Sequence, residues 1–263
     1  MNVPVSVVIP CFRCSATLER AVISVVCQTA RPEELILVDD ASDDGTLAIA
    51  KRLQEEYGRE WMRLLVLPSN IGPAAARNTG WEYAKGRYLA FLDADDSWHP
   101  RKLEIQYGWM EAHAQVALTG HPCVFMQPGT PPPSLADKWH ARPIGAKAML
   151  VSNRFLTPSV MLLRSIPYRF DAHQRYCEDY FLWLQIILRG CPAWRLEIPL
   201  AYIHKSPFGQ SGLSAQLWAM EKGELAIYRR LYAQGLMNLP SASGLTLYSF
   251  TKYLIRLFRK NRF

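Results

Sequence analysis

No apolar run in the 263 residues approaches the ~20 needed for a membrane-spanning helix, which argues against a helical integral membrane protein. The opening MNVPVSVVIP has neither a basic n-region nor an Ala-x-Ala cleavage signal, so no secretory peptide is expected. Both absences point to the cytosol, or to attachment at the cytosolic face of a membrane. Glycine is missing between Ile9 and Cys14, and no P-loop occurs anywhere, so a Gly-rich cradle for a diphosphate is excluded. Cysteine is sparse: Cys11 and Cys14 form a lone C-x-x-C with no second ligand pair at metal-like spacing. A zinc site or disulfide framework is therefore not expected, and the six thiols read as reduced and partly buried. Acidic residues are absent after Glu224, where seven basic ones remain; without those seven, the other 23 match the 23 acids. The net charge of +7 thus belongs to the C-terminal segment.

Against these absences, the composition is that of a globular protein, with 49% hydrophobic and 20% charged residues, enough to bury a sizeable core. Strand-like and helix-like segments alternate through the first hundred residues. Val3–Ile9, Leu35–Val38, Leu64–Leu67 and Tyr88–Leu92 read as strands. Ala16–Gln28, Thr46–Tyr57 and Ala74–Lys85 read as helices, the last two stopped by Gly58 and Gly86. Strands apolar on both faces imply a mostly parallel sheet flanked by helices, an α/β fold. Further on, Gln127–Ser134 is a Pro-rich loop, Phe155–Leu163 a strand region and Glu178–Leu188 a helix.

Ligands of such sheets bind at the carboxyl ends of the strands. Three polar clusters end strands here: Pro10–Arg13, Asp39–Asp40 and Asp93–Asp96. Asp93, Asp95 and Asp96 repel one another unless a cation lies among them, and hard ions such as Mg²⁺ or Mn²⁺ share carboxylates with substrate phosphates. The plainer alternative is an Asp-rich turn capping the helix that begins near Pro100.

Five segments, VSVVIPCF (Val5–Phe12), ELILVDDASDDGT (Glu34–Thr46), NIGPAAARNTG (Asn70–Gly80), GRYLAFLDADD (Gly86–Asp96) and EDYFLW (Glu178–Trp183), resemble in order and spacing the signatures of family 2 glycosyltransferases. The resemblance implies a GT-A-type fold: a nucleotide-binding sheet, an acceptor-side subregion, and here a C-terminal amphipathic helix. It implies metal-dependent transfer from a nucleotide-sugar, by default a UDP-sugar, to an acceptor hydroxyl, usually with inversion. A lipid-linked or polysaccharide glycan is the implied acceptor, with Mn²⁺ or Mg²⁺ as cofactor. Phe12 then packs near the nucleotide base, Pro10 lines the same pocket, Asp39 accepts a hydrogen bond from the base and Arg77 reaches the nucleotide. Asp40 and Asp43 fit turn roles better. Asp93 faces the ribose and metal, Asp95 the metal, with Asp96 behind them. Asp179 is the implied general base and Glu178 orients it or the acceptor, although first-turn acids also favour a helix dipole. His204 matches a late histidine that closes over the metal or diphosphate, with Lys205 beside it.

Many relatives carry Tyr-Asn where this chain has Phe12-Arg13, which loosens the inference about the base. Residues 1–215 form the implied transferase domain, its donor half 1–119 and acceptor half 120–215, followed by a basic helical tail, 216–263. His121–Lys147 matches no strong pattern and is the expected seat of acceptor choice. On a helical wheel from Leu247, Phe250, Leu254, Leu257 and Phe258 oppose Lys252, Arg256, Arg259 and Lys260. Two arrangements fit that wheel: a basic amphipathic helix lying on an anionic membrane with its apolar residues buried there, or an apolar face packed on the domain with the basic face solvated. The membrane arrangement is the expectation. Competing functions are a sugar-nucleotide nucleotidyltransferase, which lacks its Gly-rich loop here, and a non-catalytic or nucleic-acid-binding protein. No nucleic-acid module is recognisable, so no nucleic-acid partner is expected.

Overall fold

The computed structural model describes residues 1–127, 131–204 and 216–260, with side chains in the last segment as far as Phe258. Lys205 and Arg262, and part of the Pro-rich loop, lie outside the described residues. In chain order the elements are β1 (Asn2–Cys11), α1 (Leu18–Val26), β2 (Arg31–Asp39), α2 (Thr46–Tyr57), β3 (Met62–Val66), α3 (Pro73–Tyr83), β4 (Tyr88–Phe91) and β5 (Asp96–Trp98). There follow α4 (Lys102–Ala112), β6 (Leu118–Gly120), β7 (Cys123–Phe125), β8 (Ala141–Pro143), α5 (Ala146–Val151) and β9 (Met161–Leu163). The chain continues through α6 (Glu178–Leu188), β10 (Ala193–Leu196), β11 (Ala201–Ile203), α7 (Leu217–Ala233) and α8 (Leu239–Lys260).

Eight strands form the main sheet in the order β3-β2-β1-β4-β9-β6-β10-β8. The β3-β2-β1-β4 half is parallel throughout, while β9 runs antiparallel to both β4 and β6. Alternate side chains of each parallel strand enter different cores. Val8, Ile36, Val38 and Phe91 pack with α6 and α7, whereas Val7, Leu35, Leu37 and Ala90 pack with α1 and α4. Both faces are apolar because both are covered, which is why these strands read as unbroken hydrophobic runs.

A second sheet, β5-β11-β7, begins with the strand that follows the carboxyl end of β4. Its antiparallel pair matches Ile203 with Asp96 and Tyr202 with Ser97, so the residue after β11 returns to the aspartate turn. Helix α3 is held close to the sheet at Gly80, where an added Cβ would meet Val8 Cγ1 at 2.4 Å. That close approach sets the height of Arg77, one turn earlier on the same helix.

On the C-terminal helix one residue of the expected basic face, Lys252, lies on the side toward the domain. The apolar face is not packed on the domain: Lys252 turns toward the domain instead, donating to Glu224 Oε1 at 2.9 Å and to the Val151 carbonyl at 3.3 Å. Ser249 is fully buried on that inner side. The apolar positions Leu247, Phe250, Leu254 and Phe258 face outward. The inner face carries a charge because α7 offers it Glu224, and the ion pair satisfies a carboxylate that an apolar contact would leave buried alone. Helix α7 itself belongs to the core through Ile227, Tyr228 and Leu231.

Candidate active site

Strand β2 ends on Asp39, 1% exposed, whose Oδ1 has no hydrogen-bond partner among the described residues. A buried acceptor left open in this way suits a donor N–H supplied by a ligand, such as that of a nucleotide base. Its neighbours are structural, as their positions suggested. Asp40 accepts from the backbone N–H of Ile71 at 2.8 Å and of Gly72 at 2.9 Å, fixing the loop before α3. Asp43 pairs in a fork with Arg13, 2.7 Å for each bond. Arg13 takes a left-handed φ of 48° and its guanidinium lies 5.2 Å from the Phe12 ring centroid. Phe12, beside it, is exposed at the mouth of the site.

The turn after β4 gathers Asp93, Asp95 and Asp96, with one carboxylate oxygen from each lying within 4.8 Å of the others. An all-oxygen donor set this compact fits a hard divalent cation. Arg20 of α1 holds the turn through the Asp95 carbonyl, 2.6 Å away. His204, just past β11, shares a 2.7 Å hydrogen bond between its Nε2 and Ser97 Oγ. Burial lowers its pKa and nearby Arg20 adds to the effect, against Asp95, so the ring is held neutral. A neutral imidazole beside a carboxylate turn is a competent metal ligand.

Arg77, expected to reach the nucleotide, lies beside the aspartate turn. Its side chain is buried, with Nη2 donating to Asp93 Oδ1 at 2.7 Å and Nη1 to Glu178 Oε1 at 2.8 Å. Burial opposes its charge, yet Asp93 and Glu178 together raise its pKa above the ordinary guanidinium value. The physical reason is charge pairing: two half-buried carboxylates facing each other across the cleft require a cation between them. Arg77 therefore ties the aspartate turn to the start of α6.

The start of α6 is itself constrained. Cys177 occupies the left-handed region at φ 58°, and Gln174 Nε2 bonds its carbonyl at 3.2 Å. Asp179 follows, its Oδ2 receiving long bonds of 3.3 Å from Asn153 Nδ2 and Thr157 Oγ1, and its Oδ1 a 2.6 Å bond from the Tyr180 N–H. Burial first, and then the charge of Glu178, push its pKa up to about 7. That value suits a group that must be ionised near neutrality and still accept a proton. A second tie joins the two sides: Trp98 Nε1 of β5 donates to the Pro158 carbonyl at 2.8 Å, next to Thr157.

The structure thus brings together Asp93, Asp95, His204, Arg77, Glu178 and Asp179. Asp39 ends β2 and Phe12 directly follows the neighbouring β1, with Pro10 in register with Val38 and Cys11 with Asp39. Arg20, Ser97, Asn153 and Thr157 had no sequence signal, because each acts through a partner at least 22 residues away.

Residues 6–176 match the model of the family described as glycosyl transferase family 2. The UDP-Glc:α-D-GlcNAc-diphosphoundecaprenol β-1,3-glucosyltransferase WfaP of Escherichia coli is 31% identical over 203 residues, 72% of this chain and 72% of its own. Among solved structures, S. aureus TarS 1–349 in complex with UDP-GlcNAc superposes with a TM-score of 0.70 at 17% identity, over 92% of this chain and 70% of that one. The mannosyltransferase PcManGT from Pyrobaculum calidifontis, in complex with GDP-Man and Mn²⁺, gives 0.62 at 18%, over 100% and 88%. Fold, ordered motifs and family match agree, and the chain belongs to glycosyl transferase family 2, as a glycosyltransferase of GT-A type.

Proposed function

We propose that this glycosyltransferase is metal-dependent and inverting, and moves a sugar from a UDP-sugar to a hydroxyl of a lipid-linked glycan at the cytosolic face of a membrane. The observation that carries the reading is the Arg77 bridge, 2.7 Å to Asp93 and 2.8 Å to Glu178. It holds the aspartate turn one side chain away from the start of α6, so a donor at the first is beside a base at the second. Residues 1–119 supply the donor half and 120–215 the acceptor half, with acceptor choice seated in His121–Lys147. The named acceptor of WfaP, a diphosphoundecaprenol-linked sugar, supports a lipid-linked acceptor.

Asp39 Oδ1 accepts the base N–H, Phe12 covers the base and Pro10 lines its pocket. Asp93, Asp95 and His204 would hold Mn²⁺ or Mg²⁺, which supplies positive charge against the donor diphosphate. Asp179 takes the proton of the acceptor hydroxyl as its oxygen bonds to the anomeric carbon. The bond from that carbon to the phosphate oxygen breaks on the opposite side, and the nucleoside diphosphate leaves. Glu178, paired with Arg77, orients the helix end, and its negative charge raises the basicity of Asp179.

A screen of UDP-, GDP- and dTDP-sugars by thermal shift and donor hydrolysis tests the reading. A UDP-sugar should raise Tm in the presence of Mn²⁺ or Mg²⁺, EDTA should abolish turnover, and Asp95→Ala should fold but not turn over. Full turnover in EDTA refutes the metal. Retained anomeric configuration in the product, seen by NMR, refutes the single displacement.

A further inference from the structure

From Leu247 to Phe258 the outward face of α8 carries a stripe of exposed apolar side chains. Leu247 is 69% exposed, Phe250 38%, Leu254 39% and Phe258 71%. The face continues onto α7 through exposed Tyr232, across a groove of about 490 Å³ floored by Leu225 and Ala242. Contiguous apolar surface of this kind marks an interaction site. Burial against the protein's own domain is not open to it. The inner face is already fixed by the Lys252–Glu224 ion pair and by buried Ser249, and rolling the helix over would break both.

Charge selects the occupant. No acidic residue follows Glu224, and Arg229 lines the groove. A second copy would bring positive charge against positive charge, whereas an anionic lipid surface complements it. The patch is also joined to the candidate base. Tyr176, just before Cys177, donates to Gln216 Oε1 at 2.7 Å, and an added Cβ at Gly223 would lie 2.8 Å from the Tyr176 carbonyl. Trp218 of α7 packs on Tyr253 of α8 with ring centroids 5.4 Å apart. Helices α7 and α8 and the start of α6 are therefore packed as one unit.

We propose that the outward face of α7 and α8 seats the protein on an anionic lipid bilayer, with Leu247, Phe250, Leu254 and Phe258 entering the acyl boundary. The contact is led by apolar insertion, because Lys252 is spent on Glu224. Seating on this face fixes the position of Asp179 relative to the bilayer, where a lipid-linked acceptor is found; this last step rests on the acceptor proposed above.

Vesicle flotation with the full chain tests the surface, using phosphatidylcholine alone and with one quarter phosphatidylglycerol, at low and high salt. Wild type should float with the anionic vesicles and retain much of its binding at high salt. Leu247→Glu/Phe250→Glu should lose at least ~tenfold in binding, while its Tm and donor hydrolysis stay at wild-type values, since both side chains are exposed. Undiminished flotation of the variant, or no flotation of wild type, overturns the proposal. So does a wild-type dimer in solution that the variant disperses, which assigns the face to a second copy. Transfer to a diphosphopolyprenol-linked sugar in detergent tests the acceptor separately: no transfer there, with flotation intact, refutes the acceptor and leaves the surface standing.

Discussion

Substituting either partner of the Arg77–Glu178 pair should move the acid limb of kcat/KM in opposite directions. Asp179 is held up, near 7, by burial and by the charge of Glu178, and is held down by the charge of Arg77. A unit charge ~8 Å away at an effective dielectric of ~20 contributes about 2 kcal/mol, or about 1.5 pH units. Arg77→Met removes the positive charge, so the limb should climb by about one pH unit or more. Glu178→Gln removes the negative one, so the limb should fall by a similar amount. The two variants also differ in stability. Arg77→Met leaves two carboxylates facing each other without a cation, a loss of about 3–5 kcal/mol for a broken buried pair. For a chain of this size that corresponds to a fall in Tm of roughly 10 °C. Glu178→Gln keeps a hydrogen bond to Arg77 and should lose less. The assay is kcat/KM from pH 5 to 9 at fixed metal concentration, beside Tm for each variant. Limbs that move together, or stay where they are, would show that Asp179 is not the group titrating.

Asp179→Asn should lower kcat roughly 10²–10⁴-fold with donor affinity unchanged, measured by transfer assay and donor thermal shift. The same variant reports on stability: a carboxyl whose folded pKa lies above its unfolded value is destabilising at pH above about 7, and this fades as pH falls toward 4. Asp179→Asn should accordingly raise stability at pH 8 by roughly 1–2 kcal/mol, seen as a higher Tm, with the gain shrinking at pH 5; an equal gain at both pH values would contradict the raised pKa. Asp39→Asn should weaken donor binding about 10–100-fold by titration, through loss of the charged acceptor for a base N–H. Ser97→Ala removes the 2.7 Å bond that orients His204 and should raise the metal concentration needed for half-maximal activity about tenfold.

Sequence alone determined the parallel half of the main sheet and its helices. Strands β1 to β4 and helices α1 to α3 are long enough for periodicity to show, and α2 and α6 begin and end where glycines and apolar spacing put them. The carboxylates Asp39, Asp93 and Asp95 were legible because an apolar strand ending in acids is itself a local pattern. Strands β5 to β8 and β11 were not, since three residues carry no period and their pairing comes from the rest of the sheet.

Tertiary structure decided what those residues do to each other. Arg77 meets partners 16 and 101 residues away, and His204 meets Ser97 across 107. No local pattern encodes such contacts. The same holds for α8. Amphipathicity divides a helix into two faces, but which face turns inward depends on what the neighbouring helix offers, and here Glu224 of α7 drew the lysine in and left the phenylalanines out.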